Sequence, residues 1–247
     1  MTAFLEIDRL TKRHGERAAL DGVSLAVEAG EFVALVGPSG SGKTTLLKSI
    51  NRLAEPDQGT IRIDGRDVRD MPLAALRHGI GYVIQSIGLF PHMNVAENIG
   101  IVPRLMGQRA ADRTAELLDL VALPAEMAAR YPRELSGGQA QRVGFARALA
   151  AGPKLMLMDE PFGALDPVTR DALGQAFRDL HDRLGLTTLM VTHDVAEALL
   201  LADRIVVLID GRIRADGAPG ALMASEDPDV RAMIDVPRRQ AARLAAL

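Results

Sequence analysis

At 247 residues, with 48% hydrophobic and 25% charged side chains, the chain is long enough to bury a substantial core, and its composition excludes a disordered or membrane-embedded class. A formal net charge of −3 gives nucleic acid no electrostatic reason to bind, and the absence of cysteine removes disulfides, thiolate metal sites and thiol nucleophiles together. No apolar run approaches the ~18 residues of a spanning helix, and Glu6, Asp8 and Arg9 interrupt what would be a signal-peptide core, so a cytosolic protein is expected.

In chain order, β-rich pieces come first: "AFLEID" at 3–8, "VSLAVEAGEFVALVG" at 23–37 running into a glycine-rich turn, and "TIRIDG" at 60–65 with its Asp-Gly turn. Between the last two, "GKTTLLKSINRL" spaces Leu46, Leu47, Ile50 and Leu53 as one face of a helix. "YVIQSIGLFPHM" at 82–93 begins as a buried strand and then sets the amide Gln85 before an apolar run. From Asn94 the pattern turns helical. "NVAENIGIVPRL" pairs an N-cap Asn94 with Glu97 three residues on, and two amphipathic segments follow at 110–123 and 137–150. The α/β pattern then resumes with strand "KLMLMDEP", helix "DPVTRDALGQAFRDLHDRL", strand "TTLMVTH", helix "DVAEALLLA" and strand "RIVVLIDG". The basic tail at 226–247 reads as a short solvated helix after Pro237.

Three stretches carry chemistry. "GPSGSGKT" at 37–44 satisfies the phosphate-loop pattern in its required setting between a strand and a helix. Gly37, Gly40 and Gly42 let consecutive amides, with Ser39, Ser41 and Thr45, converge on phosphate oxygens, Lys43 neutralises charge and Thr44 is a Mg²⁺ ligand. Lysine is scarce, occurring only as Lys12, Lys43, Lys48 and Lys154, so a motif that demands it is harder to meet by accident. "KLMLMDEP" delivers Asp159 and Glu160 at the carboxyl end of an apolar strand, where open α/β sheets bind ligands; the first suits Mg²⁺, the second a general base. "LSGGQ" sets Ser136, Gly137, Gly138 and Gln139 at a helix N-terminus, a second anion cradle in a chain that already has one.

In the order phosphate loop, Gln85, LSGGQ, Asp-Glu, "GALD" and His193, the chain resembles the ATP-binding cassette (ABC) family over about residues 3 to 220. The resemblance implies an α/β fold with a P-loop NTPase core, an N-terminal antiparallel β subdomain and an inserted α-helical subdomain. The expected division is a nucleotide-binding domain at 1–225, with core at 1–86 and 152–225 and insert at 87–151, followed by the tail. It implies ATP and Mg²⁺ as cofactors, with two cassettes closing so that residues 136–139 of one cap the nucleotide held by the other. Asp166 would link the two sites across the dimer, Gln85 would reach Mg²⁺ or the attacking water, and His193 would contact the γ-phosphate, with a helix-capping histidine as its alternative reading. His14 stands where the family stacks adenine on an aromatic ring, and its smaller face puts base selectivity in question. The apolar run would form the groove for a coupling helix of a membrane permease subunit, with Ile87, Leu89, Phe90, Met93 and Val95 as candidates; burial within their own subdomain is the other reading.

The segment "IGYVIQSIGLFPHMNVAENI" is most similar to ATPase subunits of bacterial importers of glycine betaine, carnitine or choline. A peripheral position on the inner face of the membrane follows, with a substrate-binding protein as an indirect partner and either a second copy or a homologous ATPase subunit as the dimer mate. The alternatives are an importer of amino acids or other small polar nutrients, and a soluble ABC ATPase of the chromosome or ribosome type. The latter types carry a long coiled coil or two cassettes, which this sequence lacks. Some relatives carry paired C-terminal regulatory domains that sense ionic conditions; with the sequence ending at 247, direct osmotic sensing through such domains is not expected.

Overall fold

The computed structural model describes residues 3–85, 88–108, 113–163 and 165–245. The chain divides into two compact units, Met1–Asp70 with Leu189–Leu247, and Met71–Thr188.

In the first unit, β1 (Leu5–His14) and β2 (Arg17–Val27) form a hairpin closed by Gly15 and Glu16, in register from Leu5↔Val27 to His14↔Arg17 with bulges between. β4 (Gln58–Ile63) pairs with the other edge of β1, and β5 (Arg66–Asp67) completes an antiparallel sheet of order β2-β1-β4-β5. Leu20, Val23, Leu25 and Val27 of β2 are buried and alternate with more exposed residues along most of the strand, as expected of a sheet with one covered face. β3 (Phe32–Val36) is buried along its whole length and pairs in parallel with β9 (Arg204–Ile209), which pairs antiparallel with β10 (Arg212–Gly217). Fully burying a side chain such as Val33 or Leu35 contributes about 1.5–3 kcal/mol, so this strand is a firm base for the loop that leaves it.

α1 (Lys43–Ile50) buries Leu46, Leu47 and Ile50. The helical spacing continues to Leu53, but the helix does not: Arg52 takes φ 53°, Leu53 N donates back to Lys48 O at 2.8 Å, and Leu53 is left 52% exposed. α8 (Val195–Leu201) packs on β3. α9 (Pro219–Met223) leads to α10 (Pro228–Ala245), which contradicts the expected solvated helix after Pro237. α10 begins at Pro228, packs on α8 and α9, and buries Val230 and Ile234, one helical turn apart.

The second unit contains α2 (Leu73–His78), β6 (Ile80–Val83) and β7 (Leu155–Asp159), the strands running parallel from Ile80↔Leu155 to Val83↔Met158. Between them lie α3 (Val95–Ile99), α4 (Ile101–Leu105), α5 (Thr114–Leu120) and α6 (Gly137–Leu149). The single helix that the spacing at 94–105 suggests breaks at Gly100, because Pro103 has no amide proton to donate to the carbonyl of Ile99. α7 (Pro167–Leu184) starts with Asp166 as N-cap and Pro167 in its first turn, and ends at Gly185 with φ 59°. Phe145 of α6 stacks on Phe177 of α7 with ring centroids 5.1 Å apart and meets Phe162 at 5.7 Å. The division between the units falls within β8 (Thr187–Val191). Among the described residues no helix is long and apolar enough to cross a membrane.

Candidate functional site

The loop at 37–45 leaves the buried end of β3 and opens α1. Its lysine is not a solvated surface cation: Lys43 is 7% exposed, and its Nζ donates to Gly37 O at 2.8 Å and Pro38 O at 2.9 Å. Gly42, at the N-cap, has φ 106°, and a Cβ there would lie 2.1 Å from the backbone oxygen of Ala19, so only glycine lets the loop lie against β2. No side chain caps α1, and the Ser41 hydroxyl is buried without a hydrogen-bond partner. A buried ammonium, an orphaned hydroxyl and an uncapped helix N-terminus together favour a polyanion. Ser39 and Gly40 are exposed, and Thr44 and Thr45 are half-buried in the first turn of α1. Arg17 reaches the same loop, donating from Nη2 to Gly40 O at 3.2 Å, and His14 is exposed beside it at the hairpin tip. His193, in the same unit, is exposed at the bend before α8. That helix is capped by Asp194, which accepts from Ala196 N at 3.0 Å and Glu197 N at 3.2 Å.

In the second unit, Asp159 ends β7 and is 6% exposed. The next residue, Glu160, takes φ 47°, a left-handed conformation that costs a non-glycine residue about 1–2 kcal/mol. Its Oε2 accepts from Gln85 Nε2 at 2.9 Å, so the amide singled out in the sequence is fastened to the second carboxylate. Burial, with the charge of Asp159 adding to it, pushes the phenol of Tyr82 up to about 12.

Ser136 is the N-cap of α6: its hydroxyl accepts from Gln139 N at 3.3 Å, and Gln139 Oε1 accepts from Ser136 N at 3.0 Å. The two glycines differ. A Cβ on Gly138 would lie 2.8 Å from Thr169 Cγ2, whereas one on Gly137 would meet nothing within 4 Å. Gly137→Ala is therefore expected to leave Tm unchanged or slightly raised, since the added methyl meets nothing and alanine is the better helix former. If an incoming phosphate approaches this face, the same change lowers nucleotide turnover at least tenfold. Thermal melts and steady-state turnover check both halves. Asp166 caps α7 through Thr169 N at 3.0 Å, and its bonds to Thr169 hold its carboxyl below the usual carboxylate range.

Of the groove candidates, Phe90 is 41% exposed and Leu89 and Met93 are half-buried, while Ile87 lies outside the described residues. Val95 is 0% exposed. It turns into the core as the first residue of α3, which removes it from any docking surface. Sequence reasoning missed two residues that hold this segment. Asn98, fully buried, accepts from Phe90 N at 2.8 Å and donates to the carbonyls of Phe90, Met93 and Asn94 at 3.2, 3.0 and 3.0 Å. Arg147 Nη1 donates to Gly88 O at 2.6 Å. A lone amide among apolar helical positions signals the first; no local pattern signals the second.

A family model described as "ABC transporter" matches residues 20–163, more than half of the chain, and includes the lysine loop, Gln85, the turn at 136–139 and the acidic pair. The chain belongs to the ABC transporter family. Similar curated proteins include the choline transport ATP-binding protein OpuBA of Bacillus subtilis (strain 168), 51% identical over 89% of this chain and 59% of that protein. The glycine betaine uptake system ATP-binding protein YehX of Escherichia coli (strain K12) is 50% identical over 87% of this ABC chain and 71% of its own length. The chain thus spans less than two thirds of the length of the first of these relatives. Among solved structures, the dimeric post-hydrolysis state of the ATP-binding cassette MJ0796 bound to ADP and Pi superposes with TM-score 0.77 at 35% identity, covering 87% of this chain and 98% of that one. The fold is accordingly that of an α/β P-loop cassette.

Proposed function

We propose that this chain is the ATP-binding and hydrolysing subunit of an ABC importer for quaternary-amine osmoprotectants of the glycine betaine, carnitine and choline class. The observation that carries the ATPase reading is the loop at 37–45, where a buried ammonium, a buried partnerless hydroxyl and an uncapped helix converge. Lys43 and the loop amides hold the triphosphate, and His14 lies against the base. Glu160, aimed by its backbone and fastened to Gln85, takes the proton of the attacking water, and His193 steadies the γ-phosphate. Thr44, Asp159 and Gln85 offer the hard oxygen donors that Mg²⁺ prefers, and the ion would neutralise charge on the β- and γ-phosphates.

The dimeric state of the similar cassette supports a closed form in which residues 136–139 of one copy, or of a homologous subunit, cap the nucleotide of the other, with Asp166 at the junction. The insert at 87–151 would dock on membrane permease subunits through Leu89, Phe90 and Met93, placing the chain on the inner membrane face and in indirect contact with a substrate-binding protein. The quaternary-amine cargo is supported by the names of the choline and glycine betaine relatives.

Reconstitution with the neighbouring permease and binding subunits tests both levels. ATPase stimulation by glycine betaine, carnitine or choline is the expected result. Stimulation by amino acids alone would overturn the cargo and leave the ATPase standing; no ATP turnover under any condition would overturn the ATPase.

A further inference from the structure

The exposed side chain of Gln85 loses rotamer freedom on making one hydrogen bond in water, yet it is held to Glu160 Oε2 at 2.9 Å. Something beyond that bond must fix both ends. The two ends of the bond come from segments far apart in sequence, and α6 touches both.

At one end, Phe145 of α6 lies against Phe162, two residues past Glu160, with ring centroids 5.7 Å apart, and Phe162 is fully buried. At the other, Arg147 donates to Gly88 O at 2.6 Å. Gly88 is itself packed on the residue before Gln85: a Cβ there would fall 2.5 Å from Ile84 Cδ1. Ile84 adjoins Gln85, so the Gly88 carbonyl that Arg147 holds is packed against the residue from which the amide follows. Residues two apart on a helix point about 200° apart around its axis, so Phe145 and Arg147 grip opposite sides of α6. Burial pulls the Arg147 guanidinium below the usual arginine range, the mark of a cation taken partly out of water to reach a backbone acceptor.

We infer that α6 is the bar that sets the Gln85–Glu160 distance, and that Arg147 is a positioning residue for hydrolysis. The inference rests on the ATPase reading above for its catalytic consequence, not for its geometry. The same helix begins at Ser136 and Gly137, so a shift of its N-terminus on nucleotide closure would move both ends of the Gln85–Glu160 bond together.

The test uses the full chain carrying Arg147→Met, which keeps length and burial and removes the donor. Without nucleotide, amide hydrogen exchange across residues 88–94 is expected to accelerate about tenfold while exchange in β7 is unchanged. Unchanged exchange at 88–94 overturns the inference whether or not the chain hydrolyses ATP. With ATP, kcat is expected to fall about 10- to 100-fold, as for a catalytic pair displaced by about 1 Å, with KM within about threefold. Arg147→Lys should recover part of the loss. A parallel fall in ATP affinity and Tm, without a separate kcat effect, would mark Arg147 as merely structural and also overturn it. Arg147→Leu, which also removes the donor while keeping an apolar side chain in the buried position, should give the same exchange and kcat signature and serves if Arg147→Met does not fold. Absence of turnover in the unsubstituted chain would count against the ATPase reading alone, because the exchange measurement still decides the positioning claim.

Discussion

Glu160→Gln is expected to lower kcat by on the order of 10²- to 10⁴-fold, the range for loss of a general base, while ATP stays bound and the chain gathers into a stable ATP-containing dimer. The substitution is close to isosteric. The amide oxygen of glutamine can still accept from Gln85, whose Nε2 donates to Glu160 Oε2 at 2.9 Å, so the local geometry has no reason to collapse. The backbone at φ 47° holds a glutamine at about the same cost as a glutamate. Only the negative charge and the proton acceptor are removed. Turnover within fivefold of the unsubstituted chain would remove Glu160 from the role of base. Size-exclusion with light scattering, showing a monomer at high concentration with ATP, would sink the sandwich assignment.

Lys43→Met should abolish useful ATP binding, lowering affinity by at least about 10²-fold, since a hydrogen bond to a charged group contributes about 1.5–3 kcal/mol and the ammonium serves more than one oxygen. Its present bonds to Gly37 O and Pro38 O at 2.8 and 2.9 Å add a second effect. A carbonyl left buried without its donor costs about 1–3 kcal/mol, and each kcal/mol shifts Tm by roughly 2–4 °C in a chain of this size. The two effects separate with AMP, which lacks the β- and γ-phosphates. Calorimetry should find AMP affinity nearly unchanged and ATP affinity lost; an equal loss for both nucleotides would mean that the loop itself had come apart and that its charge was secondary.

Features confined to a few neighbouring residues were legible before any coordinates. The lysine loop, the Asn94–Glu97 capping box and the helix start at Ser136 depend on contacts within about one turn, and the structure has the same caps at both helices. Where reading by pattern failed, orientation was at stake. The apolar run offered five candidates for an outward face, and nothing in their order says that Val95 turns inward while Phe90 stays 41% exposed. Leu53 continues the helical spacing of α1, yet the left-handed Arg52 turns it out of the helix. The tail hid its helix start at Pro228 because Pro237 reads as the first turn of a helix, and only the α8 surface shows that Val230 and Ile234 are buried.

The sequence by itself determined the family and the residue types of the lysine loop and the acidic pair, because these rest on short spacings and on side chains whose chemical capacity is intrinsic. Tertiary structure alone decided which way those groups point. Gln85 meets Glu160 across 75 residues of chain and Arg147 meets Gly88 across 59, and the left-handed turn at Glu160 persists because the surrounding packing holds it against its own cost. Contacts at such separation are set by how buried strands and helices stack, a balance of many weak packing terms that no local pattern encodes.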